Sequence, residues 1–375
     1  MSAVTALPRP AHDRTRLWPS FELEPERAAT SPPETRGLEP DEVRLLVAAR
    51  DGTTHARLRD LPSRLDASDL LLVNVSATIP AAVDGHTADA TPVTVHVAGP
   101  DPAAAGQWLV ELRRSDGRGP VTAARVGEVV ALPDGGRLEL CGPYPVQQLL
   151  EPGLTAAFDG RRDRPSRLWT ATAHLDEPLA SYLERLGRPV TYAHAPERWP
   201  LRAYQTVFGR VPGSAEMASA SRPFTERLVV DLVAAGVAIA PVLLHAGLSS
   251  PERGEPPMPE RFEVSAATAR RVEQTRRDGG RVIAVGTTAV RAIESVVSAD
   301  GQVGPAAGWT DLVLGPGRPA RLVDGLVTGW HEPEASHLDL LEAVAGRELV
   351  RAAYEAALLD GYRWHEFGDS CLLLP

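Results

Sequence analysis

The sequence predicts an α/β main domain interrupted by a small inserted β-barrel domain, on three grounds. Strand-like runs alternate with helical patterns before residue 81 and after residue 161, whereas residues 81–161 carry short β-rich runs separated by turns. Residues 280–295 (GRVIAVGTTAVRAIES) have the form of a buried parallel strand, a glycine turn and an amphipathic helix. At 375 residues the chain exceeds the usual size of one domain, so two are expected. The division is a discontinuous α/β domain over 1–80 and 162–375, with the barrel over 81–161.

Residues 1–40 are rich in Pro, Arg, Glu and Thr, with Trp18, Phe21 and Leu23 as sparse apolar anchors, and read as a loosely ordered segment. Strands follow at 43–48 and 69–73, joined by a short element over 58–65. The polar stretch 74–80 (NVSATIP) reads as a turn. Inside the insertion, strands are expected at 91–97, 107–113, 125–131 and 137–141. The α/β pattern resumes with a short helix near Leu179. Residues 224–235 carry apolar side chains at helical spacing and stop at Gly236, ahead of a strand over 237–245. Ser265 caps a helix running to residue 277, and Arg270, Arg271, Arg276 and Arg277 on its later turns read as a solvated face. The strand 281–285 ends at Gly286, which turns tightly without steric penalty, and Thr287 or Thr288 can cap the helix that follows. Val290, Ile293 and Val297 give that helix its apolar face. A strand at 311–314, a strand or turn at 324–328, helices at 335–344 and 348–359, and the segment 364–374 (WHEFGDSCLLL) complete the chain.

Composition narrows the function classes. The formal net charge is −10 and every cationic side chain is arginine, which argues against a general nucleic-acid coat and leaves room only for a local basic face. Cys141 and Cys371 stand far apart with no metal-ligand spacing, as in a reducing compartment. The first residues lack the apolar core of a secretion signal and no apolar run is long enough to span a bilayer, so a soluble, cytoplasmic protein is expected, with a monomer favoured.

The Gly286 turn is the first candidate for chemistry. Free backbone N–H groups at the start of its helix, with the Thr287 and Thr288 hydroxyls alongside, could hold a carboxylate, a phosphate or sugar hydroxyls. It is neither a P-loop nor a GxGxxG fingerprint, and an ordinary β-α turn would have the same letters.

Segments 73–81 (VNVSATIPA), 204–215 (YQTVFGRVPGSA), 281–295, 322–346 (LVDGLVTGWHEPEASHLDLLEAVAG) and 362–374 (YRWHEFGDSCLLL) stand in order along the chain. Together they resemble the S-adenosylmethionine:tRNA ribosyltransferase-isomerase family of queuosine biosynthesis, from about residue 69 onward. The resemblance implies an α/β domain interrupted by a β-barrel. It also implies a reaction: the ribosyl part of S-adenosylmethionine moves onto the aminomethyl group of a 7-deazaguanine in tRNA and becomes an epoxycyclopentane, while adenine and methionine leave. S-adenosylmethionine is then a substrate, tRNA the partner, and neither a cofactor nor a metal is needed. Such chemistry asks for a base beside the sulfonium, a hydrogen bond or acid for departing adenine, and carboxylates or aromatic faces near the cation.

Carried over by motif, the catalytic candidates are Tyr204, His331 and Asp369. The substrate-binding candidates are Asn74, Gln205, Thr206, Gly286, Thr287, Thr288, Arg291 and Glu294. Each has a plainer reading. Tyr204 could be a buried aromatic, Arg291 and Glu294 a helix-surface ion pair at i, i+3, His331 and His245 structural histidines, and Asp369 a turn cap. The chain also departs from the family pattern. Val75 and Ala77 stand where the family has aspartate and arginine, Pro223 where it has histidine, and the stretch after His245 is replaced, with Arg222 and Glu260 as neighbours that could compensate. These losses leave open a diverged member that binds S-adenosylmethionine or a related nucleoside and acts on a non-tRNA substrate, and a non-catalytic binding protein for a nucleoside or RNA.

Overall fold

Every residue of LLLVN (70–74) and VIAV (282–285) is buried, as happens when continuous apolar strands lie in a parallel sheet covered on both faces. A computed structural model describes residues 21, 23–117, 119–144, 167–192, 197–249, 257–298, 300–333 and 335–375. In chain order, β1 (Arg44–Ala49), β2 (Gly52–Arg57), β3 (Leu70–Asn74) and β4 (Ser76–Thr78) lead into β5 (Ala82–His86), β6 (Pro92–Pro100), β7 (Trp108–Arg114), β8 (Val129–Ala131), β9 (Arg137–Tyr144) and β10 (Leu168–His174). Then come α1 (Leu179–Leu186), β11 (Val211–Ser214), α2 (Glu226–Ala234), β12 (Ala238–Leu244), β13 (Glu260–Val264) and α3 (Ala266–Arg277). The remainder is β14 (Val282–Val285), α4 (Thr287–Glu294), β15 (Ala306–Thr310), β16 (Gly325–Gly329), α5 (His337–Ala345), α6 (Arg347–Leu359) and β17 (Ser370–Leu374).

The main sheet runs β15-β13-β12-β3-β14-β16-β17-β1-β2. Its centre, β12-β3-β14-β16, is parallel, so the carboxyl ends of four strands meet at one edge. β17 is antiparallel to β16 and parallel to β1, which brings the residues before Ser370 to that same edge. Alternation divides the core: Leu70, Leu72, Val282 and Ala284 pack on one side, Leu71, Val73, Ile283 and Val285 on the other. Strands β5 to β10 close a separate barrel, filled by Val83, Val95, Leu112, Leu138, Leu140 and Trp169. Among the described residues no helix is long and apolar enough to cross a membrane, and no group of three or more His, Cys, Asp or Glu is placed to hold a metal ion.

Several expectations shift. The barrel closes through β10, beyond residue 161, and α1 packs Leu179, Tyr182 and Leu183 into the barrel core rather than resuming the α/β domain. The joint at 161/162 itself lies outside the described residues. The turn read at 74–80 contains β4, which pairs in parallel with β11. The strand read at 311–314 is displaced to β15: Leu312 and Leu314 are buried, but the Leu312 carbonyl accepts from Arg291 Nε at 3.0 Å instead of joining a ladder. Residues 23–40 are less loose than their composition suggests. Pro-initiated 3-10 turns at Pro25–Arg27, Pro33–Arg36 and Pro40–Glu42 are tied down by Ala29 N–H to the Trp364 carbonyl (3.0 Å) and Arg36 Nη2 to the Phe367 carbonyl (2.9 Å). Residues 1–20 and 22 lie outside the described residues.

Candidate active site

Asn74 ends β3 at the convergent edge, fully buried, and its amide is saturated. Nδ2 donates to the Leu244 carbonyl (2.8 Å) and to Thr288 Oγ1 (3.1 Å), while Oδ1 accepts from Leu244 N–H (3.0 Å) and Ser76 N–H (3.1 Å). One side chain thus fastens β3, β12 and the first turn of α4. Next to it, Ser76 Oγ lies 2.6 Å from Ser214 Oγ and 2.8 Å from His245 Nδ1. Burial, with Arg261 nearby, lowers the His245 pKa and keeps that ring neutral at neutral pH.

Gly286 adopts φ 88° and ψ 155°, a conformation closed to most side chains, and is itself the N-cap of α4. Neither Thr287 nor Thr288 makes a side-chain cap, contrary to expectation. Thr288 instead receives Asn74, and both threonines remain partly exposed at the helix start. Arg291 and Glu294 do not form the expected surface pair. Buried Arg291 binds the carboxylate of Glu260 and donates to the carbonyls of Leu312 (3.0 Å), Met258 (3.2 Å) and Thr310 (3.3 Å). Glu294 accepts from the backbone N–H groups of Arg321, Leu322 and Val323 at 2.8–3.1 Å. Arg291 organises loops around the carboxyl edge, and Glu294 holds the turn that leads into the amino end of β16. Glu260, its other oxygen bonded to Gly247 N–H at 2.9 Å, is committed as well.

His331 follows β16. Its backbone is pinned by Tyr354 Oη (3.2 Å) and Trp364 Nε1 (3.0 Å), and its ring stacks on His337 with centroids 4.7 Å apart and planes within 5°. Nδ1 is buried and has no hydrogen-bond partner among the described residues. Burial first, then His337 and His365, hold the pKa of His331 well below its ordinary value, so the imidazole is neutral at neutral pH and a weak base where it sits. Asp369 is spent differently, with Oδ1 taking Arg44 N–H (2.9 Å) and Oδ2 taking Arg363 N–H (2.8 Å), where β1 and β17 meet.

The Tyr204-Gln205-Thr206 segment borders a narrow cleft with about 30 Å³ of room, whose walls include Thr78, Tyr192, Tyr204, Glu216, Glu366 and Phe367. Gln205 clamps β4 at both ends of one residue: Nε2 donates to the Thr78 carbonyl (2.8 Å) and Oε1 accepts Thr78 N–H (3.2 Å). Thr206 Oγ1 is buried without a partner among the described residues. The Tyr204 ring lies 5.5 Å from that of Phe367. Burial and then Glu366 push its phenol up to about 12, so it is a hydrogen-bond donor, not a base, at neutral pH. Gly286, Thr287 and Thr288 do not line this cleft. The candidates therefore fall into two neighbouring groups, joined through Ser214, which bonds Ser76 on one side and leads into Ala215 and Glu216 on the other. Glu216, Glu366 and Tyr192 escaped the sequence reading because lone polar residues in loops carry no periodic signal. Arg222, thought free to supply charge, donates to the Ala203 carbonyl (2.7 Å) and to Glu34 (2.6 Å).

Over residues 19–373 the chain matches the family described as Queuosine biosynthesis protein. It belongs to that family. Among members of the queuosine biosynthesis family, it is 35% identical over 371 residues to the S-adenosylmethionine:tRNA ribosyltransferase-isomerase of Synechococcus elongatus, covering 95% of this chain and 94% of that one. The enzyme of the same name from Moorella thermoacetica is 36% identical over 365 residues, with 94% and 98% covered. The crystal structure of S-adenosylmethionine tRNA ribosyltransferase from Thermotoga maritima superposes with a TM-score of 0.50 at 25% identity, covering 95% of this chain and 99% of that one. The queuosine-family fold thus extends over both the sheet and the barrel.

Proposed function

We propose that this chain is an S-adenosylmethionine:tRNA ribosyltransferase-isomerase acting in the cytoplasm, moving the ribosyl part of S-adenosylmethionine onto 7-aminomethyl-7-deazaguanine in tRNA and isomerising it to epoxyqueuosine. The observation that carries this reading is likeness at 35–36% identity across 94–98% of the length of two relatives bearing that name. Residue chemistry supports it. His331, neutral at working pH and with Nδ1 unpartnered among the described residues, offers an acceptor to a polar substrate group; acting as the base beside the sulfonium requires the bound substrate to raise its depressed pKa. Tyr204, protonated at working pH, suits a donor to a leaving group or a hydroxyl. Asn74, Gln205, Arg291 and Asp369 serve by holding the edge and the cleft in shape, Glu294 by holding the turn before β16, and Thr287, Thr288 and the Gly286 turn offer donors to polar substrate groups. The test is adenine release from S-adenosylmethionine with tRNA carrying the aminomethyl-deazaguanine. Release dependent on that tRNA, and lowered roughly 10²- to 10⁴-fold by His331→Ala, is the expected result. Release independent of tRNA would point to a different acceptor, and no release would remove the reading.

A further inference from the structure

We propose that His245 is a substrate-binding residue whose Nε2–H donates to a hydrogen-bond acceptor of the substrate at the carboxyl edge of the sheet, oriented by the hydroxyls of Ser214 and Ser76. The proposal deepens the reading of S-adenosylmethionine as substrate and rests on it. His245 directly follows β12, and Asn74 bonds both backbone groups of the preceding Leu244 together with Thr288 Oγ1. The histidine therefore leaves the sheet beside the first turn of α4, at the edge where parallel α/β sheets take their ligands.

The direction of the hydroxyl chain fixes which ring nitrogen carries the proton. Ser76 and Ser214 are buried, so each hydroxyl hydrogen needs an acceptor. Ser214 Oγ accepts Ala246 N–H at 2.9 Å, and among the described residues the acceptor within reach of its own hydrogen is Ser76 Oγ, 2.6 Å away. Ser76 then donates the other way, to His245 Nδ1 at 2.8 Å. Nδ1 is thus an acceptor, and in the neutral ring that burial and then Arg261 favour, the proton sits on Nε2. Nε2 has no hydrogen-bond partner among the described residues and is not closed off in the interior. Gly213 completes the cradle: a Cβ there would lie 2.5 Å from Nδ1 and Cε1, so the ring occupies the space that any larger residue would take. A donor without a partner, beside the positive charge of Arg261, suits an acceptor oxygen or nitrogen of the substrate and not its sulfonium.

Two measurements on the full chain test this. Nitrogen NMR of isotope-labelled histidine, with the His245 signal assigned by its disappearance in His245→Gln, should show a neutral ring protonated at Nε2 at neutral pH. That signal should move when S-adenosylmethionine is added. Ser76→Ala should let the Nδ1–H form appear, and Ser76→Thr, which keeps the hydroxyl, should restore the original form. A charged ring or an Nδ1–H ring in the unaltered chain, or a signal unmoved by bound ligand, overturns the inference. In calorimetric titration, affinity for S-adenosylmethionine should fall roughly three- to tenfold in His245→Phe, the share of one hydrogen bond, and largely recover in His245→Gln, whose amide nitrogen keeps a donor near the place of Nε2. Adenosine titrated in parallel locates the acceptor. A loss shared by adenosine puts it on the nucleoside, and a loss confined to S-adenosylmethionine puts it on the methionyl carboxylate. Unchanged affinity for both ligands in His245→Phe, shown by thermal melting to be folded, overturns the inference and leaves the substrate reading standing. Failure of the unaltered chain to bind S-adenosylmethionine overturns the substrate reading and the inference with it.

Discussion

Glu294 and the His331–His337 pair show how single polar side chains act in this core. Glu294 collects three successive backbone N–H groups from 27 to 29 positions away. Glu294→Ala should therefore leave buried donors unpaired and lower unfolding stability by roughly 2–4 kcal/mol, read by chemical denaturation. His337, its pKa pushed down to about 4 by burial and then by Arg291, stays neutral in the fold where a solvated histidine would charge. The unfolded chain binds the extra proton first, so stability is complete above the ordinary histidine pKa and declines as pH falls from about 6.5 toward 4. His337→Gln should flatten that decline in melting temperature against pH, with His331, His365 and Arg291 as the remaining charged or titratable groups around the stack. Motif spacing picked out candidate residues, but the contacts each of them makes were not legible from it. The partners of Arg291 and Glu294 are mostly backbone groups brought up by folding, which no local pattern announces. Glu216 gave no signal at all, since what distinguishes it is the company of Tyr192, Ser249 and Glu366.

Among the elements, the β14–Gly286–α4 unit was the most legible, since a buried run, a glycine and a 3.6-residue pattern all agree. Gly286→Ala puts a Cβ where φ is 88° and brings it within 3.3 Å of the Ala220 Cβ. The expected loss is about 1–3 kcal/mol in stability from backbone strain, together with weaker S-adenosylmethionine binding if the Thr287–Thr288 donors shift. Denaturation and titration of the same variant measure both. Two strands were missed for different reasons. β2 (GTTHAR) is an exposed edge strand with no buried residue, and its polar sequence has none of the alternation that marks a half-buried strand. β4 is three residues long and exists only because β11 pairs with it. α1 looked like an ordinary helix, and its allegiance to the barrel depends on which apolar face it meets.

At the scale of the molecule, the two-part architecture was legible because short β runs and α/β alternation differ in style, but the boundary was not, since β10 and α1 return to the barrel after residue 161. We propose that the barrel opens as a unit. Hydrogen exchange of the full chain should show β5–β10 exchanging together, with a free energy distinct from that of β3, β12 and β14, and one common opening for all strands would contradict this. The sheet's connectivity sets an order on the chain's birth. β1 lies between β2 and β17, and Arg44 N–H meets Asp369 across 325 positions of sequence. During synthesis the ribosome releases β3 long before β12 or β14 can flank it, and β1 long before β17. Until then these apolar strands present open edges to other nascent chains, while the barrel's neighbours in space are mostly its neighbours in time. Exposure to other chains should therefore fall first on β1 and β3, and removing Ser370–Leu374 would leave β1 and β16 permanently without the strand between them.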